Sequence, residues 1–207
     1  MSTKRKLAQQ LGVVVGFDDP RADLEQYRTP PAVASHLIHL ADLNGDLEGR
    51  TVVDLGCGTG MLALGAALRG ATNVIGVDLD PDPLGTAREN RRRIGTNTTV
   101  SWVRADAMTL PLCPDGPLTV VMNPPFGAQA GNEHADRAFL RTAADIADVS
   151  YSIHNGGSAD FVEAFAGDNG GTVTAAYRSS FDLPRQFEFH DADRREIDVE
   201  LFRIEWI

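Results

Sequence analysis

Two short stretches of the 207-residue chain carry residue types that packing alone explains poorly. The first is Asn123-Pro124-Pro125-Phe126, directly after the apolar run Leu118–Met122. A carboxamide oxygen and the neighbouring backbone carbonyl are both acceptors, so Asn123 and Pro124 can together take both hydrogens of a planar amine. Such an amine, on a heteroaromatic ring or in a glutamine side chain, is a weak nucleophile because its lone pair is delocalised. Holding both hydrogens draws the nitrogen toward tetrahedral geometry and localises the pair. Pro124 and Pro125 set the turn and remove competing N–H donors. Phe126 offers a ring face on which a flipped base can stack. The plain alternative is a rigid Pro-Pro turn that ends a strand.

The second stretch is Asp54-Leu55-Gly56-Cys57-Gly58-Thr59-Gly60. Glycines at Gly56, Gly58 and Gly60 let a strand-to-helix turn approach a ligand closely. Dinucleotide enzymes use a similar turn at the same place, so the glycines alone decide little. Asp54 discriminates: an acid there opposes a pyrophosphate but can hold the ammonium of a methionine moiety, directly or through water. Asp78, 24 residues further on, suits both hydroxyls of a ribose, and Asp106 suits an adenine amino group. Each aspartate taken singly could be a helix cap. Three acids at successive strand ends, where such folds bind ligands, point to S-adenosylmethionine. Thr59 and Met61 are expected to line that cofactor, whereas Asp80 reads as the cap of the following helix. An Asn-Pro-Pro loop facing a methyl sulfonium implies methylation of a planar exocyclic nitrogen.

The elements that must position these residues follow from pattern. Lys4–Val15 reads as a short helix, and Thr29-Pro30-Pro31 as a helix start with Thr29 as N-cap. Strands are expected at Thr51–Asp54, Asn73–Asp78, Val100–Ala105, Leu118–Met122, Val149–Ile153 and Thr172–Arg178, alternating with helices from the glycine turn to Arg69 and over Asp82–Arg93, Ala135–Ala147 and Ser158–Gly167. Glu196–Trp206 alternates strictly, with a slip near Phe202–Arg203, and reads as an antiparallel, half-exposed strand. The fold class is α/β: a class I Rossmann-like, seven-stranded, mostly parallel sheet with an antiparallel last strand. The length suits one domain over residues 1–207, with 1–50 as an N-terminal helical segment.

Composition narrows the setting. Net charge is −10, with 29 acidic against 19 basic residues; Lys4 and Lys6 are the only lysines, and aspartate outnumbers glutamate about two to one. That bias suits the surface of a salt-loving organism's protein, and screening in molar salt removes the objection that an acidic chain cannot meet RNA. Two cysteines, Cys57 and Cys113, lack CxxC partners, so neither a disulfide framework nor a metal site is expected. Leu55–Leu68 is broken by Gly56, Gly58 and Gly60 and is no membrane span, and Met1–Leu7 has no apolar signal region, so a cytoplasmic protein is expected.

The chain resembles the methyltransferase-like-five family, archaeal and eukaryotic enzymes that install N6-methyladenosine in small-subunit ribosomal RNA. The resemblance runs over residues 4 to 206. It rests on Gly16-Phe17 with Pro20, Leu24-Glu25-Gln26-Tyr27 with Thr29, Asn123 to Gly127 followed by Asp136 and Ala138-Phe139-Leu140, Tyr151 to His154, Asp182-Leu183-Pro184, Phe189-His190 and Ile197 to Glu200. It implies that Gln26 and Thr29 close over the cofactor with Gly56, Thr59, Met61, Asp78, Asp106 and Ala107. It also implies a small zinc-binding activator protein that adds a strand to the sheet. The third strand, around Val100–Arg104, is an edge in this architecture, and Trp102 is large to leave there exposed. Asp191 and Asp193 stand where relatives are basic.

Two other functions use the same features. Asn-Pro-Pro loops also serve glutamine-N5 methylation of a release factor, although tyrosine is usual there at the position of Phe126. The fold could also hold RNA or a partner without catalysis, against which the intact loop and three acids argue. His154 and His190 are not needed as bases, since the amine becomes acidic once methylated; structural or RNA-contact roles suit them better.

Overall fold

The computed structural model describes residues 3–110, 116–125, 135–184 and 194–207, so Phe126, Cys113, His190, Asp191 and Asp193 lie outside the described residues. Seven strands form one sheet: β1 (Thr51–Leu55), β2 (Asn73–Asp78), β3 (Thr99–Arg104), β4 (Leu118–Met122), β5 (Val149–Asn155), β6 (Gly171–Pro184) and β7 (Arg194–Trp206). Their order is β3-β2-β1-β4-β5-β7-β6. All neighbours are parallel except that β7 runs against both β5 and β6.

Helices cover both faces, which is why β1 and β4 are buried almost throughout and mostly apolar. On one face α1 (Lys4–Leu11), α2 (Pro31–Leu43) and α3 (Met61–Ala67) bury Leu7, Leu37 and Leu64 against Val52, Val121 and Leu201. On the other, α5 (Ala135–Ile146) and α6 (Ala159–Asp168) bury Leu140 and Val162 against Val53, Val120 and Phe202. Between them in sequence, α4 (Pro81–Ile94) starts at Asp80, whose Oδ1 accepts from Asp82 N at 3.1 Å, and stops at left-handed Gly95.

Four expectations from sequence need correction. The first helix ends at Leu11, not Val15: Gly12 is its cap, and Val13 and Val15 are exposed. The segment that follows is pinned by Asn90, whose side chain accepts from Val15 N and donates to Val15 O, both at 2.9 Å. Thr29 is not an N-cap; that position belongs to Pro30, and the Thr29 hydroxyl turns elsewhere. Strand β7 is not half-exposed, because it lies inside the sheet. The slip at Phe202–Arg203 marks a change of buried face, Val199 and Leu201 packing into one core and Phe202, Ile204 and Trp206 into the other. The irregularity in the ladder falls on β6, between Val173 and Ala175.

The fourth correction concerns Trp102. It sits on edge strand β3 but packs inward, across Gly76 of β2 and against the glycine turn. A Cβ on Gly60, which has φ +90°, would stand 2.7 Å from the Trp102 ring, and a Cβ on Gly76 would overlap it. Glycine at both positions is therefore what lets the indole lie flat on the sheet.

Candidate active site

Strand β1 lies between β2 and β4, so the chain leaves it in one direction and returns on the other side. This is the switch point where open α/β sheets bind ligands. Leu55 is in register with Met122. The glycine turn that begins at Gly56 and the loop that begins at Asn123 therefore leave the sheet side by side. One cavity opens over both. Its walls include Gln26, Thr29, Gly56, Gly58, Thr59, Met61, Asp78, Asp106, Ala107, Asn123, Pro124 and Pro125.

The glycine turn is closely packed by the aromatic rings of Phe17 and Phe139, which share the cavity wall with it. Gly58 has φ +51°, and a Cβ there would meet the Phe17 ring at 2.8 Å. The Gly58 N–H donates to Asp78 Oδ2 at 2.7 Å, and Asp78 Oδ1 accepts from Asp80 N at 3.0 Å. Burial raises the Asp78 carboxyl above the usual range. Asp106 lines the cavity while its Oδ1 accepts from Met108 N at 2.8 Å, so here cap and cavity wall are one residue.

Asp54 and Gly60 do not reach the cavity wall. Asp54 is 1% exposed, and its Oδ2 accepts from Ala63 N at 2.8 Å, which clamps the first turn of α3 onto the end of β1. Burial pushes its carboxyl up to about 8, with the neighbouring Asp78 charge adding to the shift. Asp54 thus holds the turn, and from behind the cavity wall any hold on the methionine ammonium would run through water.

Gln26 is buried and spans two elements. Its Oε1 accepts from Arg21 N at 2.8 Å and its Nε2 donates to Asp80 Oδ2 at 2.8 Å. The segment 21–30 is thereby fastened to the start of α4 and folded over the cavity. Thr29, at the end of that segment, accepts a 3.0 Å hydrogen bond from Asn123 Nδ2. The amide of Asn123 is thus held by its nitrogen. Its oxygen, Oδ1, is buried and has no hydrogen-bond partner. Buried acceptors without partners are uncommon and call for an explanation.

These features match known proteins. The Methyltransferase domain family matches residues 52–149, which run from β1 to the start of β5. The rRNA N6-adenosine-methyltransferase Mettl5 of Drosophila melanogaster is 36% identical over 97% of this chain and 95% of its own. The chain belongs to the METTL5 family. METTL5 of Danio rerio is 31% identical over 96% of the chain and 97% of its own length, and protein MJ0284 of Methanocaldococcus jannaschii is 37% identical over 99% and 95%. The crystal structure of PH1948 from Pyrococcus horikoshii superposes with a TM-score of 0.90, at 39% identity, covering 100% of this chain and 99% of that one. For a METTL5-type chain the α/β sheet with its antiparallel last strand is as the sequence implied.

Sequence reasoning passed over several wall residues of the METTL5-type cavity. Phe139 underlies Gly56, Glu25 adopts a left-handed backbone at φ +50°, and Arg28 lies between Tyr27 and Thr29. No local pattern marks Arg28, because a lone arginine in a polar segment reads as solvated surface. His154 is 2% exposed, hydrogen-bonded to Ser152 Oγ at 3.0 Å and edge-on to Phe202. Burial lowers it to about 4, so it is neutral and structural. Among the described residues no His, Cys, Asp or Glu cluster could hold a metal ion, and no helix is long and apolar enough to cross a membrane.

Proposed function

We propose that this chain is an S-adenosylmethionine-dependent enzyme that methylates the N6 amine of an adenosine in small-subunit ribosomal RNA, as one catalytic domain acting in the cytoplasm. The observation that carries the reading is the Asn123 amide: nitrogen held by Thr29, oxygen buried and unpartnered, beside the backbone of Pro124 at the cavity wall. A residue so arranged lacks only the hydrogen of an incoming amine.

The cavity fits the cofactor on its own evidence. The rings of Phe17 and Phe139, also in the cavity wall, occupy the space that side chains on Gly58 and Gly56 would need, so the turn is kept bare beside the cavity. Asp78 and Asp106 stand at consecutive strand ends to accept from ribose and adenine, with Gln26, Thr59, Met61 and Ala107 around them. When bound, S-adenosylmethionine supplies a methyl group on a positively charged sulfur. Asn123 Oδ1 and the Pro124 carbonyl would hold the two amine hydrogens and aim the nitrogen lone pair at that methyl group. The spare N–H proton then leaves to water, and no base is required. Charge builds on the nitrogen during transfer, so these acceptors act most strongly in the transition state. Phe126 is the proposed stacking surface for the base.

The decisive experiment maps small-subunit rRNA from a deletion strain. Loss of one N6-methyladenosine, restored by the wild-type gene, supports the reading. An unchanged rRNA methylation profile with loss of a glutamine methyl on a release factor would overturn it in favour of the protein-substrate alternative. For a partner, we propose that a small zinc-binding activator adds a strand at β3, supported by that strand's place at the sheet edge with Ser101, Val103 and Arg104 exposed. Failure of the native-host protein to co-purify with such an activator counts against it.

A further inference from the structure

Arg28 is a cation in the cavity wall that no described carboxylate neutralises. Its Nε is buried and has no hydrogen-bond partner. Burial alone shifts the guanidinium downward, with no charged neighbour contributing. Two acids of the same cavity, Asp78 and Asp106, are engaged by backbone N–H groups of their own turns. The side chain is nonetheless built in: its Cδ lies where a Cβ on Gly16 would be 3.1 Å away, so glycine at that position makes room for the stem. In a chain with 29 acidic residues to 19 basic, a half-buried arginine with no described ion pair is conspicuous. Burying a charge without a partner is costly. It is explained if the missing anion arrives with a ligand, since arginine's planar fork suits a pair of carboxylate or phosphate oxygens.

We propose that Arg28 is the anion anchor of this cavity, binding the oxygen pair of a carboxylate or phosphate that a ligand carries in. The inference rests on the function proposed above, which supplies two sources of that chemistry: the methionine carboxylate of the cofactor and a phosphate flanking the target adenosine. In either case the anchor shares the cavity wall with the catalytic amide, and the next residue in the chain, Thr29, holds Asn123.

The test is calorimetric titration of the wild type, Arg28→Gln and Arg28→Lys with three ligands: S-adenosylmethionine, 5′-methylthioadenosine (which lacks the amino acid) and an rRNA oligonucleotide. If the carboxylate is the ligand, Arg28→Gln weakens S-adenosylmethionine at least tenfold, leaves 5′-methylthioadenosine unchanged, and Arg28→Lys recovers part of the loss. If the phosphate is the ligand, cofactor affinity holds while RNA affinity falls and its logarithmic salt slope decreases by about one. All three ligands binding Arg28→Gln as they bind the wild type overturns the proposal. Melting of the ligand-free protein is a second readout: loss of an unpaired charge leaves the midpoint unchanged or raises it, and Arg28→Met keeps the stem against Gly16. A midpoint lowered in both variants reveals a structural role and likewise overturns the proposal. Wild-type protein that binds no S-adenosylmethionine would instead sink the methyltransferase reading itself.

Discussion

Two groups of buried polar side chains, one under the sheet's antiparallel end and one at the cavity, are finished differently. Below α2, Asp46, Tyr151 and Arg203 form a closed cluster. Tyr151 Oη donates to Asp46 Oδ2 at 2.5 Å, and Arg203 Nε donates to Asp46 Oδ2 at 2.8 Å. Arg203 Nη1 completes the set on Thr174 and Glu205. At the cavity, Asn123 keeps a bare oxygen and Arg28 a bare Nε. The first group ties β5, β6 and β7 to the loop after α2; the second leaves valences open where a ligand would sit. Satisfied networks stabilise and specify a fold, whereas unpartnered polar atoms in a cavity wall are available to a ligand.

Breaking the closed cluster should give the largest change in stability. Arg203→Met removes one partner from a buried ion pair, and the chain should lose about 3–5 kcal/mol in denaturant unfolding. Methyl transfer per folded molecule should hold, since no member of the cluster lines the cavity. A variant as stable as the wild type would show that the two regions differ less than their hydrogen bonds imply.

The open group should behave in the opposite sense. Asn123→Ala is expected to cut single-turnover methylation by roughly 10² or more, the scale for losing one preorganised polar contact. Its melting point should stay near that of the wild type and its cofactor affinity should change little. Thr29→Val should cost about tenfold in rate by freeing the amide to rotate, and Thr29→Ser should restore it. Wild-type turnover in Asn123→Ala would contradict the mechanism.

How much of this contrast was legible beforehand depended on whether the signal was local. The glycine turn, the Asn-Pro-Pro loop and the acids Asp78 and Asp106 announce themselves because neighbours in sequence create the geometry. Thr29 looked like a helix cap because Thr-Pro-Pro is locally ideal for one; its real partner lies 94 residues away. The strand end marked Asp54 as well, but its sequence position did not show the hydrogen bond by which it clamps Ala63. Arg28 gave no signal, since what matters about it is the absence of a counter-charge in three dimensions. Strand β7 misled for a related reason: alternation cannot reveal that a further strand, β6, closes its far side.

Two buried titrating groups sharpen the contrast further, with smaller effects of opposite sign. Asp54 holds a proton up to about pH 8 that the unfolded chain releases near 3.9, so stability should fall as pH rises between those values. His154 stays neutral down to about 4 whereas the unfolded chain protonates near 6.5, so stability should fall as pH drops through that window. Asp54→Asn should flatten the first slope and His154→Gln the second, each by at least about 1 kcal/mol. Unfolding curves measured from pH 4 to 9 whose slopes survive both substitutions would refute these assignments.

Trp102, lying across Gly76 and against Gly60, couples the variation allowed at three positions. An alanine at Gly76 or Gly60 would be tolerated only after the indole had shrunk, and a smaller residue at 102 would open a void behind the cofactor turn. Descendants of this sequence are therefore expected to keep or lose the trio together. A change on the outermost strand is then inherited as a change in the turn at the centre of the sheet.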